Sequence, residues 1–313
     1  MIVRWGIEAL PGVVEEVGSE RPLLVASSRW EGVHVEAAAR WKEVPSVRIA
    51  DAVLQAGDGV IALGGGSAID LGKAISAEAG VPLVSVPTTY AGAEWTPYFG
   101  IRDPERKLRG GGAGAHLAGA VYEPELTLSL PREQTVGTAM NALAHCAEAM
   151  YAEGNNAAGD AHAVQGASLI GEWLPQVVDR PGDLHARTRL LEGAMHAGAA
   201  LGASMLALGH AMAQALGGRY GLPHGAMNAL TLPQALAFNE EVAPDAVRRF
   251  REEVGVDVRE LARLGGFERL RDFGIPEDDL PEIAAATVQR AGAKANPRPA
   301  TAAEVEQLLH NIY

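Results

Sequence analysis

Four side chains near the middle of the chain carry donor atoms at spacings that suit one shared pocket. His210 and His224 stand fourteen residues apart in GHAMAQALGGRYGLPHGAMN, on either side of Gly217-Gly218, the second within a Pro-His-Gly turn. A helix and the loop after it can bring such a pair to one point. Upstream, NALAHCAEA sets Asn141 and His145 four residues apart, hence on one helix face. Small residues flank both pairs and leave space, so three imidazoles and one amide are expected to line a pocket. His34, His116, His162, His185, His196 and His310 lack that setting and are read as ordinary core or surface residues.

Two chemistries compete for this cluster. Three neutral imidazoles can hold a divalent metal, with water or a substrate oxygen in the remaining position. An anionic fourth ligand would sit one turn before His145, and there the chain has Asn141, an amide and a much poorer donor. The balance favours a metal-free pocket in which His145, His210 and His224 bind an anion. Metal ligation by the same three histidines is the competing reading.

A second feature suits phosphate. In GVIALGGGSAIDLGKAISAEAG a buried strand runs into Gly64-Gly65-Gly66-Ser67 and a helix starts at once. Glycine lets backbone approach an anion, and the free N–H groups at a helix start favour negative charge. Ser67 is expected to cap the helix, and Lys73 is either a phosphate partner or a surface lysine. The turn lacks the Gly-Lys-Ser/Thr ending of a Walker A loop and the spacing of the dinucleotide fingerprint. Tight packing is the alternative use of these glycines.

Thr88 and Thr89 follow the strand PLVSVP, where open α/β sheets place their ligands. Ser27, Ser28 and Arg29 follow the strand PLLV with no acidic residue to hold a ribose 2′-hydroxyl. Ser27 is therefore a cofactor contact, NADPH is expected to be tolerated, and Arg29 is either a 2′-phosphate partner or a solvated charge.

These groups need a scaffold of two kinds. The 313 residues, 48% hydrophobic and 21% charged, are too many for one ordinary core. Residues 1–131 alternate strand and helix, with IVRWG, PLLVASS, SVRIA, GVIALG and PLVSVP as strands, a basic Gly-rich hairpin or loop at 102–118, and VYEPELTLSLP closing the sheet. Residues 132–313 are alanine-rich and helix-periodic, with helices near 132–152, 157–178, 186–203, 204–217, 225–239 and 243–254. Asn296-Pro297-Arg298-Pro299 must be a loop before a last helix, which Thr301 and Glu304 start as a capping box. A net charge of −13 with no basic stripe argues against nucleic acid. The single Cys146, the lack of a long apolar run and the absence of a signal pattern lead to the expectation of a cytoplasmic protein.

GGGSAIDLGKA, VPTTYAGAEWTP, NALAHCAEAMYA, HAMAQALGGRYGLPHGAMNALTLPQALAFN and NPRPAT together resemble the iron-containing alcohol dehydrogenase superfamily, and within it the maleylacetate reductase family. The resemblance runs in order from about residue 4 to 308. It implies a dehydroquinate synthase-like fold: an α/β dinucleotide-binding domain, an all-α C-terminal domain and a cleft between them. By the same resemblance Gly64–Ser67 hold the pyrophosphate, Thr88 and Thr89 line the cofactor site, and the protein is a homodimer. Metal-dependent members ligate through an aspartate and three histidines that match Asn141, His145, His210 and His224. Maleylacetate reductases commonly dispense with the metal and reduce maleylacetate to 3-oxoadipate in aromatic catabolism.

Two departures stand out. Relatives carry a further histidine at the position of Gln214, and glutamine cannot relay a proton. The chain is also shorter than the family norm, mainly around 31–50 and among the last helices. The resulting expectation is an NADH- or NADPH-dependent reductase of an oxo-dicarboxylate, metal-independent, in which any protonated histidine attracts substrate and Arg298 is either a carboxylate clamp or a surface arginine. A metal-dependent alcohol dehydrogenase or aldehyde reductase is the first alternative, and a non-catalytic cofactor-binding protein the second.

Overall fold

Largely apolar stretches, the central ones covered on both faces, become strands. In the computed structural model, which describes residues 1–105 and 107–313, these are β1 (Ile2–Trp5), β2 (Pro22–Val25), β3 (Ala39–Trp41), β4 (Gly59–Gly64), β5 (Pro82–Pro87) and β8 (His116–Tyr122), with β6 (Phe99–Arg102) and β7 (Leu108–Gly112) as a separate hairpin. The six form one sheet in the order β1-β8-β5-β4-β2-β3, every pair parallel. Helices α1 (Leu10–Glu16), α2 (Ile49–Val53) and α3 (Gly66–Ala79) connect them. Alternation along the strands divides the core into two layers. Leu23, Val25, Val60 and Ala62 pack with Ile69, Leu71 and Ile75 of α3. Leu24, Ile61, Leu63, Val84 and Val86 pack with Leu10 and Val13 of α1.

One expected strand is absent. SVRIA is a turn running into α2, and the sheet edge is β3. Ser46 Oγ donates to Glu43 and accepts from the Arg48 N–H, and Arg48 reaches Asp51. These local bonds give the backbone an alternative to a ladder. The 102–118 segment holds the last residue of β6, all of β7, its antiparallel partner, and the start of β8; Arg106 lies outside the described residues.

The chain divides into two units, Met1–Thr89 with Ala93–Ser129, and Tyr90–Gly92 with Leu130–Tyr313. The second is helical: α4 (Arg132–Tyr151), α5 (Ala157–Asp179), α6 (Leu184–Gly202), α7 (Leu208–Tyr220), α8 (His224–Asn239), α9 (Pro244–Val254), α10 (Val258–Arg263), α11 (Leu280–Val288), α12 (Ala291–Lys294) and α13 (Ala302–His310). The Thr301–Glu304 capping box is present at the start of α13. Asn296 ends the preceding turn by exchanging amide hydrogen bonds with Asn239 of α8 at 3.0 and 2.7 Å.

Gly217-Gly218 does not break α7, which continues to Tyr220 and ends at the left-handed Gly221. A glycine inside a helix costs about 1 kcal/mol against alanine, which the helix tolerates here; Gly217 is buried, and a Cβ there would meet the Leu222 carbonyl at an ordinary contact distance of 3.4 Å. His224 therefore opens α8 and is not a loop residue.

Candidate active site

The imidazole cluster depends on how closely α4 and α8 approach. A Cβ at Gly225 would lie 2.4 Å from the carbonyl carbon and oxygen of Gly137, so only glycine lets the backbones meet here. One turn beyond this crossing, Asn228 Nδ2 donates to Asn141 Oδ1 at 2.7 Å and lies 3.0 Å from His224 Nε2. Asn141 Nδ2 donates to the Ala91 carbonyl at 3.1 Å and faces His145 Nε2 at 3.5 Å. His210 Nε2 lies 3.3 Å from Asn141 Oδ1. The rings of His145 and His210 stack with centroids 4.8 Å apart, and those of His210 and His224 lie 5.7 Å apart. Asn141, His145, His210 and His224 thus share one place, as their spacing led us to expect.

Two buried residues complete it that the spacing argument missed. Glu148 accepts from His210 Nδ1 and the Ala207 N–H at 2.7 Å, and from the His210 N–H at 3.0 Å. Helix α7 has no side-chain cap of its own, and Glu148 satisfies two N–H groups at its start from a distant helix. It lies seven residues after Asn141, on the same face as His145, so helical periodicity carried the signal. Asn228 is likewise four residues after His224.

Burial, reinforced by the neighbouring His210 and His224, holds the His145 imidazole well below the usual histidine range. It is neutral near pH 7 and acts as a hydrogen-bonding group, not as the cation that would attract carboxylates. His145 Nδ1 and Asn228 Oδ1 are buried with no hydrogen-bond partner among the described residues. Burial also pushes the Cys146 thiol up, so this neighbour is no thiolate.

A resident metal fits this donor set poorly. The fourth corner is a neutral amide whose oxygen already accepts from Asn228 and whose nitrogen points at a carbonyl. Among the described residues no group of three or more His, Cys, Asp or Glu is arranged to hold a metal ion.

The other candidates make different contacts. Arg298 makes none of its described contacts with these histidines: its guanidinium pairs with Glu304 at 2.7 Å and lies 4.1 Å over the Phe238 ring. At Arg298 the carboxylate present is that of Glu304, in a partly exposed ion pair. Gln214 Oε1 accepts from Arg290 at 3.5 Å.

In the α/β unit, adjacent parallel strands β2, β4 and β5 deliver Ser27, Gly64–Ser67 and Thr88–Thr89 to the same carboxyl edge. Gly64 has φ +151°, and its carbonyl accepts from Thr88 N–H at 3.0 Å. Space around Gly66 is open to 4 Å where a Cβ would stand, and the first N–H groups of α3 have no partner within the helix. A diphosphate fits that arrangement.

Two details differ from expectation. Gly65, not Ser67, is the N-cap of α3, which leaves Ser67 inside the first turn. Lys73 is neither a surface lysine nor free for phosphate: it is buried, donating to the Tyr98 carbonyl at 2.8 Å and to Asp70 at 3.3 Å. Arg29 is exposed and bonds the carbonyl and hydroxyl of Ser129, both at 2.8 Å.

A parallel dinucleotide-binding sheet joined to an all-α unit bearing clustered imidazoles defines a class of NAD(P)-dependent oxidoreductase. Residues 6–118 match the iron-containing alcohol dehydrogenase profile and residues 135–313 that of the Fe-containing alcohol dehydrogenase family, C-terminal, and the chain belongs to this family. It is 36% identical over 309 residues to a maleylacetate reductase of Burkholderia cepacia, covering 96% of this chain and 86% of that protein. Among solved structures, maleylacetate reductase from Rhizobium sp. strain MTP-10005 matches with a TM-score of 0.88 and 29% identity over 100% of this chain and 95% of that one. An iron-containing alcohol dehydrogenase from Corynebacterium glutamicum matches with a TM-score of 0.88 and 30% identity over 100% and 94%. Among the described residues no helix is long and apolar enough to cross a membrane.

Proposed function

We propose that the chain reduces the carbon–carbon double bond of maleylacetate or a similar oxo-dicarboxylate, without a resident metal, in the cytoplasmic breakdown of aromatic compounds. The observation that carries this reading is the Asn141 amide, bonded to Asn228 and Ala91 at the corner where a metal site would need a carboxylate. Similarity to maleylacetate reductases at 34–37% identity supports the substrate class.

When bound, NADH or NADPH supplies the hydride. The chain's own residues then act electrostatically, because reduction of an enone places negative charge on the conjugated carbonyl oxygen, and hydrogen-bond donors aimed at it lower the barrier. His145 and His224 are the donors in this proposal, with Asn141 and Asn228 holding their rings, while His210, whose Nδ1 proton goes to Glu148, lines the same pocket and orients its neighbours. Gly64–Ser67, Thr88, Thr89 and Ser27 hold the nucleotide, and the absence of an acidic residue after β2 admits NADPH beside NADH.

The experiment is to follow loss of nicotinamide absorbance with each cofactor against maleylacetate, other oxo acids and simple aldehydes. Turnover restricted to oxo-dicarboxylates supports the proposal, and turnover of aldehydes or alcohols alone refutes it. Light scattering checks the accompanying proposal of a homodimer.

A further inference from the structure

A cavity of about 520 Å³ lies on the helical unit, a size that suits a small ligand. Leu230 and Pro233 of α8, with Phe267, give it apolar walls. Arg259 and Arg263, one turn apart on α10, and Arg269 line the same cavity, against the single carboxylate of Glu268. Several other arginines of this unit are paired, among them Arg219 with Asp279, Arg248 with Asp245, Arg249 with Asp160 and Arg251 with Glu240. Among the described residues, Arg259, Arg263 and Arg269 have no such ion pair. All three are exposed, and together they bring local positive charge to this cavity in a chain of net charge −13.

Gln234 supplies an independent sign. It lines the cavity although only 4% exposed, and its Oε1 accepts from Asn311 Nδ2 at 3.5 Å. Its amide N–H₂ group has no described partner. An amide donor lining the same cavity as unpaired guanidinium groups is complementary to oxyanions, because charged donors form the stronger bonds and the neutral donor fixes orientation.

We infer that this cavity binds a small organic anion, an aromatic or branched apolar body carrying a phosphate or carboxylate, at Arg259, Arg263, Arg269 and Gln234. The anionic group lies among the arginines and the body against Leu230, Pro233 and Phe267. Nothing in this inference depends on the substrate proposed for the imidazole cluster.

Calorimetry on the full chain with the nucleotide site saturated by NAD⁺ tests it, using phenyl phosphate, benzoate and inorganic phosphate as probes. Phenyl phosphate is expected to bind at one site, about tenfold or more tighter than inorganic phosphate, and benzoate binding tighter than acetate marks a carboxylate as an alternative head group. The exposed double variant Arg259→Gln/Arg263→Gln is expected to weaken phenyl phosphate by about tenfold or more while leaving turnover unchanged. Equal binding by the double variant overturns the site. Equal binding of phenyl phosphate and inorganic phosphate overturns the role of the apolar wall.

Discussion

Glu148 Oε2 receives His210 Nδ1 and the Ala207 N–H at 2.7 Å each, so one buried carboxylate both orients an imidazole and starts the helix that carries it. Glu148→Gln keeps the size but offers one acceptor oxygen to three donors. Leaving a buried donor unmet costs about 1–3 kcal/mol. We expect a lower melting temperature together with a fall in kcat of about tenfold or more, with KM changed less. A variant with lowered stability and full kcat would show that Glu148 supports only the helix.

The Asn141 amide sets the charge of the cluster. Asn141→Asp places a carboxylate beside three imidazoles and is expected to raise affinity for Zn²⁺ or Fe²⁺ by on the order of 10–100-fold, the range over which supporting groups alter metal sites. Metal titration of both proteins checks this. Unchanged affinity would mean that the four side chains do not act on one point.

Gly225 is predicted to be indispensable for packing. Its Cβ would meet Gly137 backbone at 2.4 Å, a contact that neither helix can relieve by turning a side chain. Gly225→Ala should cost about 1–3 kcal/mol and lower activity by spreading the Asn141–Asn228 contact. Gly218→Ala, where the nearest atom is the flexible end of Arg290 at 3.7 Å, is the control and should be neutral or stabilising by about 0.5–1 kcal/mol. Urea midpoints of the two variants decide it.

Glu94 predicts a slope in stability with pH. Burial raises its carboxyl above the ordinary 4.5, against the lowering effect of the Tyr122 hydroxyl, which donates to Oε1 at 2.6 Å. Above about 4.5 the unfolded chain loses this proton while the folded chain keeps it, so the folded state binds more protons. Its contribution to stability is full below the unfolded pKa and is lost as pH rises through the folded one. Glu94→Gln keeps an acceptor for Tyr122 and removes the titration. Denaturation across the weakly acidic to neutral range should show the parent losing stability relative to the variant; parallel curves would show that Glu94 is ionised.

The sheet and most helix bounds were legible because continuous apolar runs and helical periods each have one solution when both faces are covered. The Gly64–Ser67 turn and the Thr301 capping box could be read for the same local reason. Lys73 could not, since its burial depends on the Tyr98 carbonyl, which is distant in sequence. SVRIA misled because its β-branched pattern competes with side-chain bonds from Ser46 and Arg48. Gly217-Gly218 misled because the packing of α7 outweighs the intrinsic cost of two glycines. Within the site, His145 was visible from its spacing, whereas the Glu304 partner of Arg298 follows from how the turn before α13 folds back on that helix.

The claim that the imidazole cluster works without a cation is tested most directly by turnover of maleylacetate after exhaustive chelation, with metal content measured on the same sample. The account predicts an unchanged rate of NADH or NADPH oxidation at substoichiometric metal. A rate that disappears with the metal and returns on adding Fe²⁺ or Zn²⁺ would contradict it.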